Sequence, residues 1–142
     1  MDQTDKTPLI TPQDFHGATS DRQWFGTWLG GRIAALGWGT AEFRLPIRDE
    51  FLRDGGTVAG PGLMGAADIA LYAAVMTAYP DGRKSVTSDM TMHFLRRPAG
   101  ALLRARAELV KTGRRLATGR IELSMDDDPR LVAHVAGSYA LP

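Results

Sequence analysis

The chain has no cysteine in its 142 residues. That removes a disulfide framework, a thiolate nucleophile and a cysteine-ligated zinc, and it suits a reducing compartment. Only three histidines are present, His16, His93 and His134, and none stands at metal-ligand spacing from another. Asp89 and His93 share one face of a strand pattern but lack a third ligand, so no metal centre is expected. There is no G-x-S-x-G motif for a serine hydrolase, and no repeat, heptad run or low-complexity tract. The start, "MDQTDKTPLITPQDF", lacks the basic and then apolar character of a signal peptide. The longest apolar run, Ile69 to Tyr79, is short for a bilayer span and is bounded by Asp68. The expectation is a soluble, cytoplasmic protein without a membrane partner.

What is present is enough apolar sequence, 44% of residues, for one sizeable core. Net charge is only +1 but unevenly placed: from Gly82 to Arg120 there are ten Lys or Arg and two acids, Asp89 and Glu108. Few aromatics accompany that basic stretch, which argues against nucleic acid and leaves a polyanionic small molecule or simply solvated strand faces.

Along the chain, residues 1–18 read as a loosely ordered arm and 19–142 as a single domain. Ser20 and Asp21 offer an N-cap pair for a short helix whose Trp24, Phe25 and Trp28 would pack on the body. Arg32 to Leu45 is strand-like, with a tight hairpin or bulge near Gly37–Gly39. After a loop with a short amphipathic piece at Phe51 and Leu52, a long apolar helix is expected from Pro61 to Tyr79. Proline suits its first turn, and Pro80 with Asp81-Gly82 ends it. Four strands follow, in "VTSDMTMHF", "LLRARAEL", "RLATGRIELSM" and "LVAHVAGSYAL", each with period-two alternation and short turns between. Short turns imply sequential antiparallel pairing.

Gly60, Gly62 and Gly65 have the spacing of a dinucleotide-binding turn. That reading needs a strand before the glycines and a parallel strand after the helix, whereas a meander follows. The order of elements instead predicts an α+β hotdog fold: one central helix wrapped by a curved antiparallel sheet of five to six strands. Asp68 lies about two turns into that helix, too deep for a cap. A carboxylate there is either paired or retained for chemistry, as general base or nucleophile.

Here the text "GTVAGPGLMGAADIALY", followed by "SVTSDMTMHFLRRPAGALLRARAELVKTGRRLATGRIEL", resembles the hotdog thioesterases of the PaaI-like type, over roughly residues 28–140. The resemblance implies metal-free hydrolysis of acyl-CoA thioesters, with coenzyme A as part of the substrate and no separate cofactor. The family's His-Gly-Gly motif precedes its catalytic acid by seven residues, which places the acid at Asp68 and the motif at Ala59-Gly60-Pro61. The Gly60 amide is then the implied oxyanion donor, at a helix N-terminus that favours negative charge. Thr87 is the implied positioning hydroxyl, and Arg96, Arg97, Arg114 and Arg115 match the region that meets CoA phosphates. This sequence departs from the pattern at Ala59 (no imidazole), Pro61 (no second amide) and Arg53 (no asparagine). Two other readings follow: a non-catalytic acyl-CoA or hydrophobic-ligand binding module on the same scaffold, and a hotdog dehydratase. The dehydratase needs a helix His where Leu71 and Tyr72 stand. Gly60 and Asp68 are eight residues apart, roughly 12 Å along one helix. They cannot both reach one carbonyl, so a homodimer or homotetramer with a shared site is expected.

Overall fold

The computed structural model describes residues 6–20, 25–126 and 128–142. Within them, α1 (Pro12–Ser20) and α2 (Phe25–Leu29) precede a hairpin of β1 (Arg32–Gly37) and β2 (Thr40–Pro46). Then come α3 (Gly60–Ala78), β3 (Val86–Phe94), β4 (Leu102–Thr112), β5 (Leu116–Met125) and β6 (Asp128–Ala140). All six strands form one antiparallel sheet in the order β1-β2-β4-β5-β6-β3. The sheet wraps α3, which is the expected hotdog arrangement.

Local chemistry accounts for the elements. In β4 the inward Leu103, Ala105, Ala107 and Leu109 are buried, while the intervening Arg104, Arg106 and Glu108 lie on the other face. The β1–β2 hairpin closes in two residues, Trp38 and Gly39, the latter at φ 74° where a side chain would be strained. Helix α3 carries Pro61 in its first turn and ends at Tyr79, whose backbone is already extended ahead of Pro80. By length and composition alone its 19 residues could cross a bilayer, since the helix starts nine residues before Ile69. Enclosure by the sheet makes it the core helix instead.

Leu71 shows how closely helix and sheet approach. Gly119 and Gly137 are cross-strand partners, and a methyl on either would stand 2.7 Å from Leu71 Cδ1 or 3.2 Å from its Cδ2. The paired glycines are a socket, and Leu71 fills it.

Two expectations need correction. Strand β3 is not the first strand of a sequential meander: it crosses to the far edge and pairs with β6 rather than β4. The polar loop between β3 and β4 is long enough to allow that crossing. The supposed loose arm contains α1, which is capped reciprocally: the Thr11 N–H donates to Asp14 Oδ2 (2.9 Å) and the Asp14 N–H donates to Thr11 Oγ1 (3.1 Å). Its Phe15 is fully buried, so the helix is part of the body. In α2 the deeply buried residues are Gly26 and Leu29; Phe25 and Trp28 do pack on the body, against Gly65 and the edge of Phe51, but stay more than half exposed. Asp21 and Trp24 lie outside the described residues.

Candidate active site

Most of α3 is apolar and covered, but one stripe remains accessible: Pro61, Met64, Gly65, Asp68 and Tyr72. The spacing of these positions, three or four apart, puts them on a single face. Asp68 sits mid-stripe and half-buried. It lines a cleft of about 400 Å³ together with Phe25, Ile69, Tyr72, Val86, Thr87 and Tyr139.

Two hydroxyls converge on one oxygen of Asp68. Thr87 Oγ1 donates to Oδ1 at 2.8 Å, and the Tyr139 phenol donates to the same Oδ1 at 2.6 Å. The second distance is typical of a charge-assisted O–H···O⁻ bond. The Tyr139 oxygen also lies 3.2 Å from the Asp68 carbonyl, but its one proton favours the shorter and charged acceptor. Among the described residues nothing donates to Oδ2, which is left for the cleft. Burial, and then the Asp68 carboxylate beside it, raise the Tyr139 phenol well above its ordinary range, so it stays protonated and a donor.

The convergence depends on a break in alternation. Met90 and Met92 pack inward from β3, so strict period two would turn Thr87 outward with Thr91 and His93. The β3–β6 register slips between Thr87 and Asp89, leaving Ser88 unmatched. That bulge reverses the parity. Thr87 is thereby placed opposite Tyr139 and within reach of Asp68.

Gly60 occupies a different cleft, of about 790 Å³, with Arg53, Asp54, Phe94, Arg96 and Arg97 among its walls. In the first turn of α3, Pro61 has no N–H, and the Gly62 and Leu63 N–H groups bond back to the Ala59 carbonyl at 2.9 and 3.4 Å. The Gly60 N–H is therefore the first-turn donor left over. Ala59, the N-cap, contributes no side-chain bond, and Arg53 is exposed. Within one chain, then, the implied donor and the implied acid belong to separate clefts on one rigid helix.

The four arginines also separate. Arg96 and Arg97 follow the Phe94 end of β3, whereas Arg114 and Arg115 sit in the β4–β5 turn at the Val86 end, beside Tyr79, Pro80 and Leu141. Nine residues of strand span about 26 Å, so one chain cannot bring both pairs to the same phosphate. Among the described residues no cluster of metal-ligating side chains occurs. His93 and His134 face each other across β3 and β6.

Sequence reasoning misses two residues. Tyr139 reads there only as part of a strand, although it continues the inward series Ala133, Val135 and Gly137, and a buried tyrosine hydroxyl needs a partner. His16 reads as an ordinary loop residue. It lies on α1 and its Nε2 accepts the Ile33 N–H of β1 at 3.0 Å, while burial lowers its pKa from the ordinary value.

The thioesterase superfamily model matches residues 55–132, which contain Gly60, Asp68 and Thr87. A search of curated protein sequences gives no match. Among solved structures, a putative thioesterase from Silicibacter sp. TM1040 is 31% identical over 99% of this chain and 96% of its own, with a TM-score of 0.83. A putative thioesterase from Ralstonia eutropha JMP134, described as phenylacetic acid degradation-related, is 28% identical over 89% and 97%, with a TM-score of 0.76. A mutant form of the phenylacetic acid degradation protein PaaI from Thermus thermophilus is 28% identical over 83% and 98%, with a TM-score of 0.72.

Proposed function

The chain belongs to the thioesterase superfamily, as a PaaI-like hotdog protein; from that membership and the setting of Asp68 we propose that it hydrolyses acyl-CoA thioesters. The observation that carries this reading is the carboxylate itself. Asp68 Oδ1 is held by Thr87 and Tyr139, while Oδ2 is left for a cleft that combines apolar walls (Phe25, Ile69, Val86) with hydroxyls.

In this reading Oδ2 takes a proton from water as the water oxygen attacks the thioester carbon. The carbonyl oxygen gains negative charge and is met by a Gly60 N–H. Collapse restores the carbonyl, breaks the C–S bond and releases coenzyme A, whose sulfur can take the proton held by Asp68. Direct attack by Oδ2 on the carbonyl would use the same geometry through an anhydride. With Arg53, Arg96 and Arg97 outweigh Asp54 in the Gly60 cleft, and Arg96 and Arg97 suit the CoA phosphates. Arg114 and Arg115 could join them only from another subunit.

Because Gly60 and Asp68 serve separate clefts, the working site pairs Gly60 of one copy with Asp68 of another. The surface supports this pairing. Strand β3 is a sheet edge, and Val86, Phe94, Leu95 and the helix residue Met64 are exposed near it. The protein is accordingly a homodimer or larger assembly, and light scattering showing an active monomer would refute the shared site.

A second reading, a non-catalytic acyl-CoA binding module, is favoured by Ala59 and Arg53, which supply neither imidazole nor carboxamide. Release of free CoA from a panel of short, long and aromatic acyl-CoAs separates the two. Turnover that disappears in Asp68→Asn supports hydrolysis. Saturable binding without CoA release supports the module.

A further inference from the structure

We infer that Tyr139 is a positioning residue: its phenol, with Thr87, fixes Oδ1 of Asp68 so that Oδ2 alone is presented to the thioester. The role of Oδ2 rests on the hydrolytic reading above, whereas the orientation of the carboxylate does not.

A free aspartate can rotate about its last bond and exchange its two oxygens. Here that rotation is opposed from two strands at once. Thr87 comes from β3 and Tyr139 from β6, at directly paired positions, and both donate to Oδ1. A half-turn only renames two equivalent oxygens, but any smaller turn of the carboxylate plane would break both charge-assisted bonds and swing the second oxygen off the cleft.

The phenol is itself well held. Its ring stacks on Tyr72 at 5.7 Å between centroids and 14° between planes, and Tyr72 meets the edge of the buried Phe15 at 5.9 Å. Tyr72 in turn donates its hydroxyl to the Arg83 carbonyl at 2.8 Å. The tyrosine that fixes Asp68 is thus braced by α3 and, through Phe15, by α1.

The experiment compares wild type, Tyr139→Phe, Thr87→Ala and the double variant, using the full chain. Each is assayed for kcat and KM on the best acyl-CoA and melted thermally. Phenylalanine keeps the ring and its stacking, so a structural role would leave activity intact. Positioning predicts a fall in kcat of about tenfold or more in Tyr139→Phe, measured well below its Tm, with KM nearly unchanged and a Tm lower by the few degrees that one lost hydrogen bond accounts for. Because both hydroxyls restrain one oxygen, the double variant should lose less than the product of the single losses. Undiminished kcat, or a loss that simply follows Tm and multiplies with that of Thr87→Ala, would overturn the inference.

A readout without substrate covers the case in which no acyl-CoA turns over, which would defeat the hydrolytic reading by itself. The Asp68 carboxyl resonance in protein carrying ¹³C-labelled aspartate is assigned by its absence in Asp68→Asn. It should shift in Tyr139→Phe. An unchanged resonance would refute the contact and the positioning role together.

Discussion

Replacing Asp68 by asparagine removes one charge while nearly preserving the side chain's shape, and the structure allows both consequences to be worked out. An amide oxygen at Oδ1 can still accept from Thr87 and Tyr139, now 2.8 and 2.6 Å away. Hydrogen bonds to charged groups contribute about 1.5–3 kcal/mol each and neutral ones about 0.5–1.5, so neutralisation weakens the pair by about 2 kcal/mol together. Relief of desolvation at a half-buried carboxylate acts in the opposite direction with similar size. The net change is then within about 1 kcal/mol, a Tm shift of about 2–4 °C for a chain of this size. Activity should respond very differently. An amide can neither take a proton from water nor attack a thioester, so kcat/KM should fall about 10²–10⁴-fold. The assay is CoA release with a thiol reagent, run beside a thermal melt of the same preparation. A variant that melts clearly lower yet keeps more than about a tenth of wild-type activity would refute the catalytic assignment and make Asp68 a structural acceptor.

Two further outcomes follow from other parts of the molecule. His16 must be neutral for its Nε2 to accept the Ile33 N–H, and its folded-state pKa is lowered by burial from the ordinary 6.5. The unfolded chain therefore binds that proton more readily, and the stability from this contact is present above about pH 6.5 and lost as pH falls below it. Melts across pH 5 to 8 should show the decline in wild type, and a flatter profile in His16→Gln. Arg96→Ala and Arg97→Ala should each raise KM for acyl-CoA several-fold with kcat little changed, more so at low salt, because phosphate contacts are alike in ground and transition states. Equal KM values in both variants would return these arginines to ordinary surface charge.

The central helix, the strand set and the acid were legible because each leaves a local signal: an apolar run with one carboxylate, period-two alternation, and turn residues between. What was hidden is mostly non-local. The crossing of β3 to the far edge is decided by which sheet edge covers α3, and no residue of β3 announces it. The bulge at Ser88 was equally invisible, yet without it the alternation would have turned Thr87 away from Asp68. The resemblance suggested Thr87, and the backbone irregularity makes the contact possible. By contrast, α1 could have been read: "TPQD" is a capping sequence with proline at the first helical position. The resemblance grouped the four arginines at one CoA-binding region, but a strand's length separates the pairs.

The socket of Gly119 and Gly137 has a consequence for altering substrate choice. Leu71, seated in it, is three residues from Asp68, and Tyr139 is two residues from Gly137 on the same inward face of β6. The depth of the helix and the grip on the acid are therefore set together by one short length of β6, with Gly119 of β5 completing the socket. A larger residue at either glycine would lift α3 and draw the carboxylate away from its hydroxyls. Selection for a new acyl group should leave this length of β6 untouched and accumulate its changes in the opposite wall. There Phe25 stands half exposed on a five-residue helix and lines the cleft, its ring lying over Gly65 of α3.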